Sequence, residues 1–508
     1  MKIILAGCNV DYETILDAKD ALPDSPPLTP ETISAAYARI SRSPKSVETL
    51  RTIARMEVEK ARQSNQSIVF EMGHSSIAEH AVFNIDIIAV SRLLAEEIEK
   101  FRLCSYTEKS QRYVLLSDDF VIPEEIRAAG LVERFKGLVQ KQNAFYHTLY
   151  GRLRPFVFAA HPDLAKDSKN RGLLEGWAKE DARYILSMAT QTQLGMTLNA
   201  RNLELVVRRM AAHPLKEANE YGRKLYEAVK SVAPSLIRYT EKTDCDARTR
   251  TELKSILSDY LTTDPGGNGA PPVTPGHGPE TEPVKLIHVT PGGDERLLAA
   301  FIHGVTNRDN ADCLKAASTL THGRKEEIFR TAFRHMKSHD AAPRELECVD
   351  FIYELIVSAG CFAQLKRHRM ATILSQNYDP ALGVTIPESI REIGMAPAFR
   401  DMIALTEDFY GDLLTSVPDA TDYCLTNAHR KRVLMKINAR ELYHMARLRT
   451  DRHAQWDIRN LTREMLDRAR MAMPLTLLMA TGKDDFEQRR REVFDGTPPL
   501  LPDRDKTI

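Results

Sequence analysis

The chain has 508 residues, of which 43% are hydrophobic and 28% charged, as is typical of a globular protein. Its 70 basic and 70 acidic residues balance, so no net field attracts it to nucleic acid or to a membrane surface. No stretch approaches the roughly 20 apolar residues of a membrane span, and seven scattered cysteines without a C-x-x-C pair argue against a disulfide framework or structural zinc.

The first predicted element is a strand. The apolar run KIILAGC is followed at once by Asp11 and Glu13, which favours a strand over a signal peptide, so we expect the protein in the cytoplasm. Further on, Phe83, Ile85 and Ile87 alternate with polar residues, the pattern of a half-buried strand.

A segment dense in Pro, Gly and Thr divides the chain. Residues 261–284 contain almost no apolar side chains, so they cannot bury enough surface to offset the entropy of ordering them. We predict a flexible linker there. It separates a first domain, residues 1–260, from a second, residues 285–508.

The two domains look like copies of one another. Each opens with a strand-like run, KIILAGCNVD or VKLIHVTPGGD, followed by a helix-like one, ISAAYARIS or LLAAFIHGV. Each later carries an Asn-Ala-Arg triplet inside a helical pattern, beginning at Asn199 and Asn438. Mixed helices and strands predict a duplicated α+β or α/β domain.

The densest polar cluster of the first domain is FRLCSYTEKSQRYV. Glu108, Ser110 and Arg112 alternate there, so an extended or turn conformation presents them on one face. Arg112 could grip a phosphate through two hydrogen bonds and Ser110 could donate to the same anion. A solvated loop is the simpler interpretation of the spacing alone.

Two other polar groups in this domain are less specific. GHSSIAEH holds two histidines and Glu79, but it lacks the H-E-x-x-H pattern and a third ligand, so we favour a hydrogen-bonded loop and predict no metal. Arg183 follows KEDA beside an apolar run, where a lone arginine is usually a surface charge with a packed stem.

The second domain has a basic helix end, QLKRHR, from Gln364 to Arg369. Its adjacent cations repel one another unless an anion binds, although helix-dipole compensation explains one or two of them. We predict one amphipathic helix for the later segment NARELYHMARLRTDRHAQWDIRNLTREML. Its apolar stripe consists of Leu442, Met445, Leu448 and Leu461.

That helix also carries an Arg and His ladder. Arg440 and His444 are i,i+4 neighbours, as are Arg449 and His453. Without acidic partners such a ladder favours a planar anion or a phosphate-bearing ligand. A solvated basic face is the alternative.

Together these pieces resemble the flavin-dependent thymidylate synthases. That family has an R-H-R-x-x-S-x-N-E-x-S-x-R-Y motif and a later N-A-R-x-x-x-N-x-x-x-x-R-x-x-x-x-A-Q-W-E-I-R helix. The first half keeps the Glu-x-Ser-x-Arg loop but has Lys100-Phe101-Arg102 in place of Arg-His-Arg. The second half keeps Arg-His-Arg and the late helix but has Asn377 and Asp379 in place of the loop Ser and Arg.

The resemblance implies one composite active site. In the family, a homotetramer builds each site from several subunits, and here the complementary residue sets survive in different halves. We therefore expect the halves to form a pseudo-dimer that keeps one site and has lost the reciprocal one. Two chains would then form a homodimer that is a pseudo-tetramer.

By the same resemblance, the reaction converts dUMP to dTMP with methylenetetrahydrofolate as carbon donor and FAD, reduced by NADPH, as hydride source. The catalytic residue is Arg449, which would stabilise negative charge on the pyrimidine. The implied substrate-binding residues are Gln364, Arg367, Glu108, Ser110, Arg112 and Arg183. The implied cofactor-binding residues are Arg367, His368, Arg369, Asn438, Arg440, His444, His453, Ser76 and Glu79.

Two other functions stay open. Thr107 and His444 depart from the family pattern, which is compatible with flavin- and folate-dependent alkylation of another pyrimidine nucleotide. A catalytically inactive nucleotide- or flavin-binding regulator would bind without turnover, although it would need neither Arg449 nor the Glu-Ser-Arg loop. Nucleic-acid binding is disfavoured, since no aromatic-studded basic stripe occurs.

Overall fold

A computed structural model describes residues 1–19, 28–116, 118–262 and 282–496. Most of the predicted linker, residues 263–281, lies outside the described residues.

Two antiparallel sheets of the same topology form the framework. The first sheet has the order β1-β2-β4-β3 and the second has the order β5-β6-β8-β7. The repeated order confirms a tandem α+β duplication and decides against a parallel α/β sheet. The strands are β1 Lys2–Cys8, β2 Val82–Ser91, β3 Ser105–Glu108, β4 Gln191–Asn199, β5 Val284–Val289, β6 Asp350–Ser358, β7 Thr372–Ser375 and β8 Arg430–Asn438.

Helices make up most of the remaining described chain. None of those described is both long and apolar enough to cross a bilayer. The α-helices are α1 Tyr12–Lys19, α2 Glu31–Ile40, α3 Val47–Met56, α4 Val58–Gln66, α5 Arg92–Ile98, α6 Glu124–Ala128, α7 Val132–Ala160, α8 Pro162–Ala165, α9 Arg171–Ala182, α10 Ala200–Ala211, α11 Lys216–Val229, α12 Asp244–Thr262, α13 Gly293–Val305, α14 Asn310–Thr319, α15 His322–Phe333, α16 Ala359–Leu365, α17 Glu388–Glu392, α18 Ala396–Ser416, α19 Ala439–Arg449, α20 Trp456–Ala472 and α21 Phe486–Phe494.

Short helical turns complete the element order. They are a π-helix, Ser67–Glu71, and the 3-10 helices Ser75–His80, Ser168–Asn170, Arg183–Ile185, Arg344–Cys348, Pro380–Leu382 and Pro418–Tyr423.

Contacts group the chain into two compact units. The first unit comprises Met1–Asn143, Ser187–Pro272 and Asp408–Cys424, and the second comprises Ala144–Leu186, Val273–Glu407 and Leu425–Ile508. The first unit contains the first sheet, and the second unit contains the second sheet. Each unit also takes a segment from the other half of the sequence. The domain bounds predicted from the sequence stay a prediction.

The strand predicted from alternation is confirmed. Phe83, Ile85 and Ile87 of β2 are buried, whereas Asn84 and Asp86 between them are exposed. This face packs inward because successive side chains of a strand point to opposite sides of the sheet. The two strand-like runs that open the halves are β1 and β5, as predicted, and the two helix-like runs lie in α2 and α13.

The Asn-Ala-Arg triplets mark the starts of two helices: the Ala and Arg of each triplet are helical, as predicted, whereas each Asn is the cap that precedes the helix. Asn199 ends β4 and its side chain accepts a hydrogen bond from Asn202 N, so it caps α10. Asn438 ends β8 and caps α19 through Glu441 N. Asparagine suits this position because its carbonyl oxygen satisfies an N–H that has no partner within the helix.

The prediction of a single late helix is wrong, because the helix is interrupted between α19 and α20. Gln455 caps α20 by accepting from Asp457 N and Ile458 N, and Asp451 accepts from His453 N in the turn before it. These side chains compete with continued helix for the backbone donors. The break places His453 outside α19, so it is not a helical neighbour of Arg449.

The apolar stripe is confirmed in part. Leu442, Met445 and Leu461 are buried, but Leu448 is 45% exposed.

Candidate active site

The structure brings together residues from the two strongest motifs of the second half. Arg449 is the last residue of α19, and its Nε donates to His368 Nε2 at 3.1 Å. Its terminal nitrogens donate to the side-chain and backbone oxygens of Gln364 at 3.5 and 3.4 Å. The R-H-R segment and the late arginine, 81 residues apart between His368 and Arg449, therefore lie in one cluster.

His368 sits at the centre of this cluster. Its side chain is 2% exposed, and its Nδ1 lies 3.1 Å from Glu441 Oε1. Burial lowers the pKa of His368 below its ordinary value, while the hydrogen bond to Glu441 acts in the opposite direction. Both ring nitrogens contact protein side chains. Its assignment to flavin binding stays a prediction.

Arg183 is buried, so its interpretation as a surface charge is wrong. Only 4% of the residue is exposed. Its Nε donates to Glu180 O at 3.2 Å, and one terminal nitrogen lies 3.5 Å from Gly360 O. Gly360 also leaves room for the neighbouring Tyr184 ring, since an added Cβ at Gly360 would stand 3.0 Å from Tyr184 Cζ. Arg183 belongs to the same unit as Arg449.

A polar network connects the neighbourhoods of these two arginines. Tyr184 donates to Asp457 Oδ2 at 2.8 Å and accepts from Gln455 Nε2 at 3.0 Å. Ser358 donates to the same Asp457 oxygen at 2.6 Å. Gln455 Oε1 in turn lies 3.5 Å from Gln364 Nε2. Tyr184 and Asp457 were not predicted as site residues. They are 273 residues apart, and nothing in the sequence around either residue indicates that they are in contact.

The first unit contains a matching triad. Ser91 and Tyr423 both donate to Glu217 Oε2, at 2.6 and 2.7 Å, as Ser358 and Tyr184 do to Asp457. This match makes Tyr423 the counterpart of Tyr184. The residue before Tyr423 is Asp422, whereas the residue before Tyr184 is Arg183. The second copy has therefore replaced a buried cation with a carboxylate.

A second charge reversal occurs in the nucleotide loop. Strands β3 and β7 occupy equivalent places, because β3 pairs with β4 and β7 pairs with β8. Arg112 comes four residues after the end of β3, and Asp379 comes four residues after the end of β7. An aspartate at this position repels a phosphate that an arginine attracts.

The predicted loop residues of the first unit do not all share one environment. The side chain of Glu108 is 4% exposed and forms an ion pair with Arg92. Thr192 Oγ1 donates to the same Glu108 oxygen at 3.1 Å. Ser110 Oγ accepts from Arg112 N at 3.1 Å. Arg92 was missed because an arginine after Ser91 resembles an ordinary surface charge at the start of a helix.

Two residues assigned to the cofactor by resemblance line one cavity of the second unit. Arg440 and His444 border it together with Arg447, Tyr443 and Phe486, and its volume is about 240 Å³. Arg440 donates to Ala342 O and to Glu347 Oε1, both at 2.8 Å, so this arginine does have an acidic partner. Arg447 lies 3.3 Å from His444 Nδ1.

The other predicted cofactor residues are more dispersed. Arg367 and Arg369 flank His368 and are half-buried, whereas His453 is exposed. Ser76 and Glu79 lie on an exposed 3-10 helix of the first unit, where Glu79 pairs with Arg201.

Two groups in the described chain have metal-ligand spacing. The ligand atoms of His368, Glu441 and His444 lie within 4.8 Å of one another, as do those of Asp451, His453 and Asp484. In the first group, Arg449 donates to His368 Nε2. A cation there would face a guanidinium, so the donor set fits a metal poorly.

The fold and this cluster define a duplicated α+β protein whose buried Arg183 and partly buried Arg449 suit an anionic ligand. The family model described as thymidylate synthase complementing protein matches residues 26–235 and again residues 285–475. The chain belongs to this family and contains its domain twice, which confirms the resemblance to the flavin-dependent thymidylate synthases.

The chain is also similar to individual proteins. A UPF0159 protein of Chlamydia pneumoniae is 24% identical over 423 residues, which are 80% of this chain and 77% of that protein. A flavin-dependent thymidylate synthase of Pyrococcus furiosus is 32% identical over 165 residues, 31% of this chain and 57% of that protein. The structure of a flavin-dependent thymidylate synthase of Helicobacter pylori with FAD and dUMP is 19% identical, covers 47% of this chain and all of that one, and has a TM-score of 0.28.

Proposed function

We propose that the protein is a flavin-dependent thymidylate synthase that converts dUMP to dTMP with methylenetetrahydrofolate and NADPH. The observation that carries the proposal is the partly buried cluster in which Arg449 contacts both Gln364 and buried His368. A partly buried guanidinium held by several acceptors is preorganised to stabilise negative charge that develops on a pyrimidine ring. In this role Arg449 is the catalytic residue and Gln364 orients the substrate.

Binding of the substrate phosphate is assigned to arginines. Arg183 is buried beside the Arg449 network, and a desolvated guanidinium binds a phosphate strongly. Glu108, Ser110, Arg112 and Arg367 are assigned to the same nucleotide by their motifs. Asp422 and Asp379 occupy the counterpart positions of Arg183 and Arg112, so we infer one working residue set in each chain.

The flavin assignment is supported by the cavity beside α19. Arg440 and Arg447 offer guanidinium donors for phosphates, and Tyr443 and Phe486 offer apolar surface for a ring. This donor set fits a flavin nucleotide, with His444, Asn438, His453, Arg369, Ser76 and Glu79 as further contacts proposed from the motifs. When bound, FAD would supply the hydride. The protein residues hold the nucleotides and exclude water.

The direct test is dTMP formation by purified protein with FAD, NADPH, methylenetetrahydrofolate and dUMP. Arg449→Ala should abolish turnover and leave flavin binding nearly unchanged, whereas Arg463→Ala, an exposed arginine on α20, should leave both unchanged. Flavin binding without dTMP formation in the wild type would reject the synthase and favour a regulator. Supplying other pyrimidine nucleotides in the same assay tests the altered-substrate alternative suggested by His444.

A matched pair tests the charge reversal. Arg183→Gln should raise the KM for dUMP, since it removes a buried cation. Asp422→Asn changes the counterpart residue and should leave that KM unchanged. Equal effects of the two variants would contradict the assignment of a single residue set.

We further propose that two chains form a homodimer in the cytoplasm. Sedimentation of the active enzyme should give a dimer, and a fully active monomer would exclude this assembly. Cell fractionation tests the location.

A further inference from the structure

Glu441 occupies a constrained position in the first turn of α19. Its backbone N–H donates to the Asn438 cap at 2.8 Å, and only 9% of the residue is exposed. Its carboxylate lies 3.1 Å from His368 Nδ1. The start of a helix stabilises a negative charge, so this carboxylate has a favourable location.

The contacts of His368 permit a single protonation state. Arg449 Nε can only donate a hydrogen bond, so His368 Nε2 must accept it. The ring proton therefore resides on Nδ1 and is donated to Glu441. In the opposite tautomer, or in the imidazolium ion, an Nε2–H would point at the N–H of Arg449.

We propose that Glu441 is a positioning residue, which holds His368 in the Nδ1–H tautomer and thereby fixes the guanidinium of Arg449. The catalytic consequence rests on the proposed function, in which Arg449 acts on the pyrimidine. The positioning itself concerns only residues of the second unit. His444, whose ring lies 6.1 Å from that of His368, and Arg449 also influence this imidazole, and Arg367 and Arg369 flank it in the sequence.

The duplicated half provides independent support. Asn199 caps α10 as Asn438 caps α19, so the residue three positions later in each helix is equivalent. That residue is Asn202 in the first copy and Glu441 in the second. The first copy also has Phe101 at the motif position of His368. The carboxylate and the imidazole are thus both present in one copy and both absent from the other.

The first experiment observes the tautomer directly. Protein labelled with ¹⁵N-histidine is studied by NMR near neutral pH, and His368→Asn identifies the signal of His368. The wild type should show the Nδ1–H tautomer. Glu441→Gln, whose amide can either accept or donate, and Glu441→Leu should both show an increased Nε2–H fraction. Glu464→Gln, which removes a carboxylate from the surface of α20, should leave the signal unchanged.

The second experiment measures steady-state kinetics. Misplacing a catalytic group should lower kcat roughly tenfold to a hundredfold in Glu441→Leu, with a smaller change in the KM for dUMP. Glu441→Asp should recover part of kcat, because it restores a carboxylate that a purely space-filling role would not require.

The outcomes distinguish a failure of the positioning role from a failure of the proposed function. An Nε2–H tautomer in the wild type, or an unchanged tautomer in both the Gln and Leu variants, would overturn the positioning role. Absence of dTMP formation by the wild type would reject the proposed function, and the NMR result would still decide whether Glu441 sets the state of His368. Glu441→Gln preserves size, so it remains informative if Glu441→Leu does not fold.

Discussion

Removal of one hydroxyl should weaken the second unit by a predictable amount. Tyr184→Phe keeps the ring and creates no large cavity, but it deletes the donor to Asp457 and the acceptor of Gln455. A hydrogen bond to a charged group contributes about 1.5–3 kcal/mol. Leaving the Gln455 amide without its acceptor adds to the loss. We therefore expect the free energy of unfolding to fall by roughly 2–3 kcal/mol.

Urea unfolding followed by tryptophan fluorescence is the suitable assay. The chain has two tryptophans, Trp177 and Trp456, and both belong to the second unit. Trp456 also stacks on Tyr184, with ring centroids 5.6 Å apart. For a slope of about 2 kcal/mol per molar urea, the midpoint should fall by roughly 1 M at unchanged slope.

Two further variants make the test specific. Tyr12→Phe alters a tyrosine that is 67% exposed and should not move the midpoint. Ser358→Ala removes the other donor to the same Asp457 oxygen, so its effect should not add to that of Tyr184→Phe. A midpoint for Tyr184→Phe equal to that of Tyr12→Phe would refute the network as a source of stability.

Three other perturbations have defined outcomes. Arg92→Met leaves the buried carboxylate of Glu108 without its cation, and chemical denaturation should show a loss of about 3–5 kcal/mol. Asn199→Ala and Asn438→Ala should each cost about 1 kcal/mol in the same assay, since both remove a helix cap; FAD titration should weaken only for Asn438→Ala if that residue also binds flavin. Burial raises the pKa of Asp181 to about 7, so the wild type should lose stability as the pH rises from the ordinary aspartate pKa toward 7. Asn at this position does not ionise. In urea unfolding, the stability of Asp181→Asn relative to the wild type should therefore increase between about pH 5 and about pH 8.

Much of the fold could be predicted from local patterns. The alternation through Phe83, Ile85 and Ile87 predicted β2, because burial on one face of a strand leaves a period of two in the sequence. Repetition of strand, helix and triplet likewise predicted the duplication that the two sheets confirm. The break between α19 and α20 was missed, since the amphipathic pattern continues through it while the Gln455 cap depends on local hydrogen bonds.

Only the residues of the candidate site that belong to sequence motifs could be predicted. Gln364, His368 and Arg449 were selected from separate segments, and the structure places them in contact. Arg92 and Tyr184 were not selected, because each acquires its role from a partner distant in the sequence. Arg183 was first interpreted as a surface charge for the same reason: a single residue type does not report burial.

Because each unit contains a segment from the other half of the sequence, the first unit can complete its folding only after much of the second half has been synthesised. Glu217 receives one of its hydrogen bonds from Tyr423, which is 206 residues further along the chain. At about 5–20 residues per second, the ribosome needs roughly 10–40 s to reach it. The first unit therefore emerges before the segment that completes its interior has been translated. A nascent chain paused between the halves would expose the surface that Asp408–Cys424 later covers, and a chaperone or a neighbouring nascent chain could bind there.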